Sequence, residues 1–324
     1  TPPMAETMPC KLILDTDIDT DCDDAGTLAL LHSLMRRGEV ELLGVVCCVP
    51  IPACAACVHA ANAWYGRPEI PVGLASVPDW ETDPAHALYR AGRVRSAAHV
   101  YNESIAEAWE AEHGPVEPVE ALSLYRRLLA AQPDGSVTLC AIGMLTALAQ
   151  LLDSGPDEYS PFPGPELVAQ KVHRLVTMAL GSFPRGHDTF NWATDCPATH
   201  AVLERWPTPV VVSEWGETVL TGSRFIAAAP PDHPLRQAYQ IWLGAPTGNR
   251  SSWDQLAALY AVRGADGLFT ERWGYRCRFD ATTGEHEWVL AEPGGVEHCH
   301  LTPTVDDAAL ARAVEDLMVD SLVP

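Results

Sequence analysis

Short, continuously apolar runs alternate with helix-periodic stretches along the first half of the chain. Lys11–Leu14 predicts a strand, and Ala25–Arg37 a helix closed by Gly38. Val40–Cys47 predicts a second strand, residues 52–65 an Ala-rich helix, and Ile70–Leu74 a third strand. A strand–helix–strand order requires parallel pairing with helical crossovers. A run as uniformly apolar as Leu42–Cys47 fits a sheet covered on both faces.

Further along, Ser76–Ser96 carries Pro, Asp and Arg and predicts a long loop. Helices are expected over Asn102–Glu112 and Glu117–Ala131, and a strand over Ser136–Ile142 that passes through Gly143 into a helix, Leu145–Leu152. Ser154–Pro165 predicts a loop, Val172–Leu180 a strand, and a Gly/Pro-rich loop runs on to Asn191. A helix at Pro197–Arg205 leads to a strand at Pro209–Ser213, then helices at His233–Leu243 and Asp254–Val262. The tail from Leu268 to Leu301 reads as antiparallel, and Ala308–Val319 as a closing helix. No repeat or linker divides the chain. One α/β domain over residues 1–324 is expected: a mostly parallel central sheet flanked by helices (core about 11–262), with a small antiparallel C-terminal extension at about 263–324.

Composition then narrows the partners. Twenty-one Lys+Arg against 43 Asp+Glu leave a formal charge of −22. No basic stripe exists to neutralise phosphates, so neither a nucleic-acid polymer nor an anionic membrane surface is an expected partner. A cation is, provided the carboxylates converge. No apolar run is long enough for a spanning helix, and Thr1 to Cys10 lacks the basic-then-apolar pattern of a secretory leader. Ten scattered cysteines, including adjacent Cys47 and Cys48, suit reduced, mostly buried thiols and a cytoplasmic enzyme.

The strongest local signal is Asp15-Thr-Asp17-Ile-Asp19-Thr-Asp21-Cys-Asp23-Asp24-Ala25, six aspartates in ten residues between an apolar strand and a helix. In open α/β sheets ligands gather at the carboxyl ends of strands, where this turn falls. The helix dipole favours Asp23 and Asp24 but cannot hold six like charges. Either several are protonated or a cation neutralises them, and oxygen-only donors select a hard ion such as Ca²⁺ or Mg²⁺. An EF-hand starting at Asp15 is excluded, because its sixth and twelfth positions are Thr20 and Gly26 rather than Gly and Glu. An aspartate-nucleophile phosphatase is the alternative enzyme class. Its small residue after Asp-x-Asp is missing, and Lys171 is the only lysine downstream.

This turn resembles the signature of the inosine-uridine-preferring nucleoside N-ribohydrolase family: an apolar strand, Asp-x-Asp, a spacer, and Asp-Asp-Ala at the helix start. Here the spacer is longer than usual. Three more segments match in order: Val137–Ile142 with Gly143, Leu145 and Thr146; Phe190-Asn191-Trp-Ala-Thr-Asp195; and Ser252-Trp253-Asp254-Gln-Leu-Ala. Together they span residues 11 to about 262.

The resemblance implies Ca²⁺-dependent cleavage of the N-glycosidic bond of a nucleoside or nucleoside-like metabolite, a role in salvage, and assembly as a dimer or tetramer. It makes Asp17 both an ion ligand and the general base toward water. Asp24, Asp254 and the main-chain oxygen of Ile142 complete the metal ligands. Asp23 and Asn191 would hold ribose hydroxyls, Trp253 would stack on the base, and Asp15 and Asp21 would stand in or just behind the ion's shell. The sequence also departs from the family: no Asn follows the second strand near Val49-Pro50-Ile51, Thr189 stands where a carboxylate usually precedes Phe-Asn, Trp253 replaces a His, and Asp19 replaces a spacer Gly. These changes fall on sugar and base contacts and motivate a non-enzymatic alternative, a fold that binds a ligand without turnover. Cys54-Ala-Ala-Cys57 reads as buried packing rather than a redox pair. His298 and His300 read as surface residues rather than zinc ligands.

Overall fold

The computed structural model describes residues 8–324. Residues 1–7, most of the stretch read for a leader pattern, lie outside the described residues. In chain order the strands are β1 (Cys10–Thr16), β2 (Val40–Cys47), β3 (Val72–Leu74), β4 (Val119–Glu120), β5 (Val137–Ala141), β6 (Val172–Met178) and β7 (Arg185–His187). They continue with β8 (Val210–Ser213), β9 (Leu220–Thr221), β10 (Arg250–Ser251), β11 (Phe269–Phe279), β12 (Glu285–Leu290) and β13 (His298–Pro303). The helices are α1 (Asp23–Arg36), α2 (Pro52–Trp64), α3 (Ala87–Arg95), α4 (Asn102–His113), α5 (Ala121–Ala130) and α6 (Thr146–Asp153). After them come α7 (Gly164–Lys171), α8 (Cys196–Arg205), α9 (Ser223–Ala228), α10 (Pro234–Leu243), α11 (Trp253–Arg263) and α12 (Asp307–Asp320).

Eleven strands form one sheet in the order β4-β3-β2-β1-β5-β6-β8-β13-β11-β12-β7, while β9 and β10 make a separate ribbon. Pairing is parallel from β4 through β8 to β13, and antiparallel across β11, β12 and β7. The expected architecture is therefore the observed one, a mostly parallel sheet with an antiparallel portion. β1 sits between β2 and β5, and Leu12, Ile13 and Leu14 are fully buried because helices cover both faces. α1 lies against α11 and α12. Its approach needs Gly26, where a Cβ would come within 2.2 Å of Gln255 Nε2 and 2.3 Å of the Tyr239 hydroxyl.

Three expectations need correction. The segment Ser76–Ser96 is not wholly loop, since it ends in α3. α1 begins two residues before the predicted start, with Asp23 and Asp24 in its first turn. His298 and His300 are buried rather than on the surface, because their face of β13 is covered, His300 by the rings of Phe183 and Trp288. His298 Nδ1 accepts from the Cys277 amide at 3.0 Å, and His300 Nε2 meets Glu214 Oε1 at 2.6 Å. All ten cysteines are unpaired and eight are buried, Cys54 and Cys57 among them.

Candidate functional site

Parallel strands bring their carboxyl ends to one edge of the sheet, so the segments after β1, β5 and β6 converge there with the first turn of α11. The six clustered aspartates separate by partner. Asp15, still on β1, is fully buried; the Tyr125 hydroxyl donates to one oxygen and the other has no partner. Burial pushes its carboxyl up to about 7 even with Tyr125 bonded. Asp19 is fully buried and fully answered. Arg93 Nε lies 2.9 and 3.1 Å from its oxygens, Asn102 Nδ2 donates at 2.8 Å and the Tyr89 hydroxyl at 3.1 Å. Asp21 has a left-handed φ of 71°, which aspartate tolerates. It is held by a two-pronged ion pair from Arg250 with contacts of 2.5–3.1 Å.

Asp17, Asp23 and Asp24 remain without a cationic partner, and Asp254 from the second position of α11 joins them. All four are at most 4% exposed. Burial first, then the neighbouring carboxylates, push Asp17, Asp23 and Asp254 well above the usual carboxylate range. Burial also raises Asp24, but only to about 6, because the Thr16 hydroxyl donates to it at 2.5 Å. The Asp254 amide donates to Asp23 Oδ2 at 3.1 Å, which ties the two helix starts together.

Carboxylate oxygens of Asp23, Asp24 and Asp254 all lie within 4.8 Å of one another. Two oxygens on opposite sides of one Ca²⁺ at about 2.4 Å span the same distance. The donor set is buried, anionic and made only of oxygen, so it fits a hard cation. Asp17 lines the same cavity, of about 280 Å³. Gly143 permits its position, since a Cβ there would stand 2.9 Å from Asp17 Cγ and 2.8 Å from Cys48 Sγ.

Ile142, Asn191 and Trp253 also line this cavity. Asn191 Nδ2 donates to the main-chain oxygens of Ile142 at 3.2 Å and Met178 at 3.1 Å. Because both are acceptors, the amide orientation is determined and Asn191 Oδ1 is left to receive a donor. Trp253 lies beside Arg250, and its indole N–H is buried without a partner. Asp188 has its charge absorbed by the amides of Leu180, Phe190, Trp192 and Ala193 at 2.7–3.3 Å. Of the predicted site residues, Asp15 alone lies outside the cavity lining, and Asp21 lines it while bound to Arg250.

Sequence reasoning missed Tyr89, Arg93, Asn102, Tyr125 and Arg250, the groups that neutralise or bind half of the cluster. Tyr89 and Arg93 are four residues apart, one helical turn, and so reach Asp19 from one face of α3. Reading that segment as loop hid the signal. Lys171, the lysine a phosphatase would need, precedes β6 at the other end of the sheet and pairs with Asp134 at 3.0 Å.

The family model described as "Inosine-uridine preferring nucleoside hydrolase" matches residues 12–294. Among solved structures, the chain is similar to a plant nucleoside hydrolase at 16% identity and a TM-score of 0.68, covering 96% of this chain and 99% of that one. It is similar to an inosine-uridine preferring nucleoside hydrolase from Bacillus anthracis at 18% identity and a TM-score of 0.64, again covering 96% and 99%. A purine-preferring ribonucleoside hydrolase from Gardnerella vaginalis matches at 17% identity and a TM-score of 0.66, covering 96% and 98%. At these identities the likeness concerns the fold. No curated protein matches by sequence. Among the described residues, no helix is long and apolar enough to cross a membrane.

Proposed function

Because the chain belongs to the inosine-uridine preferring nucleoside hydrolase family, we propose that it hydrolyses the N-glycosidic bond of a nucleoside or nucleoside-like metabolite with Ca²⁺, releasing free base and pentose. The observation that carries this reading is the set of four buried carboxylates, Asp17, Asp23, Asp24 and Asp254, sharing one cavity without a cationic partner. Asp17, Asp24, Asp254 and the Ile142 carbonyl would hold the ion, and Asp23 is close enough to Asp24 and Asp254 to serve either ion or sugar. When bound, Ca²⁺ neutralises the carboxylates and lowers the pKa of water in the site.

Asp17 then takes the proton of the attacking water, on the face of the sugar opposite the departing base. Asp23 and Asn191 Oδ1 receive ribose hydroxyls and orient the ring. Positive charge develops on the sugar in an oxocarbenium-like transition state, and buried carboxylates stabilise it more strongly than solvated ones would. Trp253 stacks on the base; its indole is not an acid, so departure relies on the base's own ability to carry charge. Asp15 and Asp21 act behind the site, as anchors of the turn through Tyr125 and Arg250.

A role in nucleoside salvage and a cytoplasmic location belong to the same proposal, the location supported by the ten unpaired cysteines among the described residues. So does a homo-oligomer, dimer or tetramer, which light scattering on the purified chain would measure. The test of the function is incubation with a panel of nucleosides and phosphomonoesters in Ca²⁺, reading free base, free pentose and inorganic phosphate. Base and pentose are expected, with loss on chelation and return on adding Ca²⁺. Phosphate release from phosphomonoesters instead would favour the phosphatase reading, and tight binding without product the non-enzymatic one.

A further inference from the structure

The cavity is chemically two-sided. Its lining holds the four carboxylates without a cationic partner and also Arg95, Ser96, Thr189 and Arg250. Most cationic groups near the site are consumed. Arg93 is bound by Asp19 and Glu103, and Arg250 spends Nε and Nη2 on Asp21. Arg95 has neither an ion pair nor a hydrogen bond to a protein group among the described residues, although the chain carries an excess of acids. Its guanidinium and the Phe190 ring both border Gly92. A Cβ on Gly92 would lie 3.7 Å from Arg95 Nη2 and 3.3 Å from the Phe190 ring.

Thr189 adjoins that ring and contributes a hydroxyl without charge. The nearest acid in the segment, Asp188, is already bound by four backbone amides. No free carboxylate on this segment therefore opposes an anion near Arg95. A guanidinium open to the cavity and free of internal partners, with the hydroxyl side chains Ser96 and Thr189 in the same lining, recognises a phosphate through charge-assisted hydrogen bonds.

From this polarity we infer that the substrate is a phosphorylated ribosyl compound: its ribose lies against the carboxylate cluster, and a phosphate ester on the sugar's 5′ oxygen lies against Arg95, with Ser96 and Thr189 in the same lining. The inference rests on the ribosyl-hydrolase reading above and deepens it. A nucleoside 5′-monophosphate and a sugar joined through a 5′-diphosphate bridge share this chemistry, and both enter the test. Cleavage follows the same balance as for a plain nucleoside: water adds to the anomeric carbon with one proton passing to Asp17, the C–N bond breaks with its electron pair leaving on the base, and the base is then protonated from solvent while the phosphate ester stays intact.

The experiment compares inosine, inosine 5′-monophosphate and ADP-ribose with the full-length protein in Ca²⁺, alongside Arg95→Ala and Arg95→Lys. The ratio of kcat/KM for a phosphorylated substrate over inosine is expected to exceed 10, and to fall about 10- to 100-fold in Arg95→Ala. The change should lie mainly in KM, with partial recovery in Arg95→Lys. A preference for the monophosphate alone or for the diphosphate-linked sugar alone identifies the source and supports the anion site either way. Cleavage of inosine with no gain from phosphate, and no change of the ratio in Arg95→Ala, overturns the inference while leaving the hydrolase reading intact.

Calorimetric binding of ribose 5-phosphate against ribose provides a readout independent of turnover. Binding at least tenfold tighter, lost in Arg95→Ala, supports the site even if no substrate is cleaved, in which case the hydrolase reading fails alone. Equal binding of the two sugars overturns the inference.

Discussion

Replacing Asp254 with Asn inverts the relation between stability and metal. Asp254 is buried beside Asp23 and Asp24, with oxygens of the three within 4.8 Å of one another. At an effective dielectric of about 20, two full charges at that separation repel by roughly 3 kcal/mol. Protonation absorbs part of this, since all three carboxyls are raised and Asp24 reaches about 6. The net relief on removing one charge at pH 7.5 is about 1–3 kcal/mol. Asn keeps the shape, and the backbone N–H that donates to Asp23 is unaffected.

In chelator, the Asp254→Asn protein should therefore melt higher than the parent, by about 1–4 °C for a chain of this size. In Ca²⁺ the order reverses. An ion at 100 times its Kd adds about 2.7 kcal/mol to the parent, and the variant, short of one anionic ligand, gains little. Thermal melts at pH 7.5 with chelator and with Ca²⁺ measure all four values. A variant that melts lower than the parent in chelator would refute the reasoning, because the carboxylates would then be mutually satisfied rather than frustrated.

Asp17→Asn should lower the rate of base release by at least about 10²- to 10⁴-fold, as expected for loss of a general base, and should also shrink the rise in melting temperature on adding Ca²⁺, since Asp17 is a proposed ligand of the ion. Trp253→Ala should raise KM for nucleosides by about tenfold or more and Trp253→Phe much less, since stacking on a base is worth about 1–3 kcal/mol; unchanged KM in both would remove the base from this wall. Burial pushes His32 and His298 down to about 3 from 6.5. A histidine with a depressed folded pKa takes up its proton on unfolding, so its stabilisation is intact above pH 6.5 and lost as pH falls toward 3. Each should cost about 2 kcal/mol by pH 5, and urea midpoints of His298→Gln should decline correspondingly less between pH 6.5 and 5. Asp15 works in the opposite sense: its folded pKa of about 7 stands above the ordinary 3.8, so its contribution is full below 3.8 and fades as pH rises through 7.

The parallel sheet was legible because apolar runs such as Leu12–Leu14 and Leu42–Cys47 have no polar face and must be covered on both sides. The aspartate turn was legible for a related reason, since so many like charges beside an apolar strand demand a countercharge. Which charges are answered inside the protein was not legible. Arg250 lies 229 residues from Asp21 and Tyr125 lies 110 from Asp15, and nothing local in the sequence pairs them. His298 and His300 alternate as in a half-exposed strand, but β13 is an interior strand and both are buried. Burial there depends on side chains that cover this face of β13, Phe183 and Trp288 among them, a tertiary fact that overrides the local pattern. Gly143 illustrates the intermediate case. It was recognisable as part of a strand–Gly–helix unit, whereas its physical cause, the approach of Asp17, required the folded chain.

Four buried carboxylates without a cationic partner among the described residues are proposed to hold a cation and a ribosyl group together. A crystal structure of the protein soaked with Ca²⁺ and a ribose-like inhibitor tests it most directly. The ion is expected among Asp17, Asp24, Asp254 and the Ile142 carbonyl, with sugar hydroxyls on Asp23 and Asn191. An inhibitor bound in this cavity while those carboxylates contact no ion, or an ion bound elsewhere with the cavity filled only by water, would contradict the account.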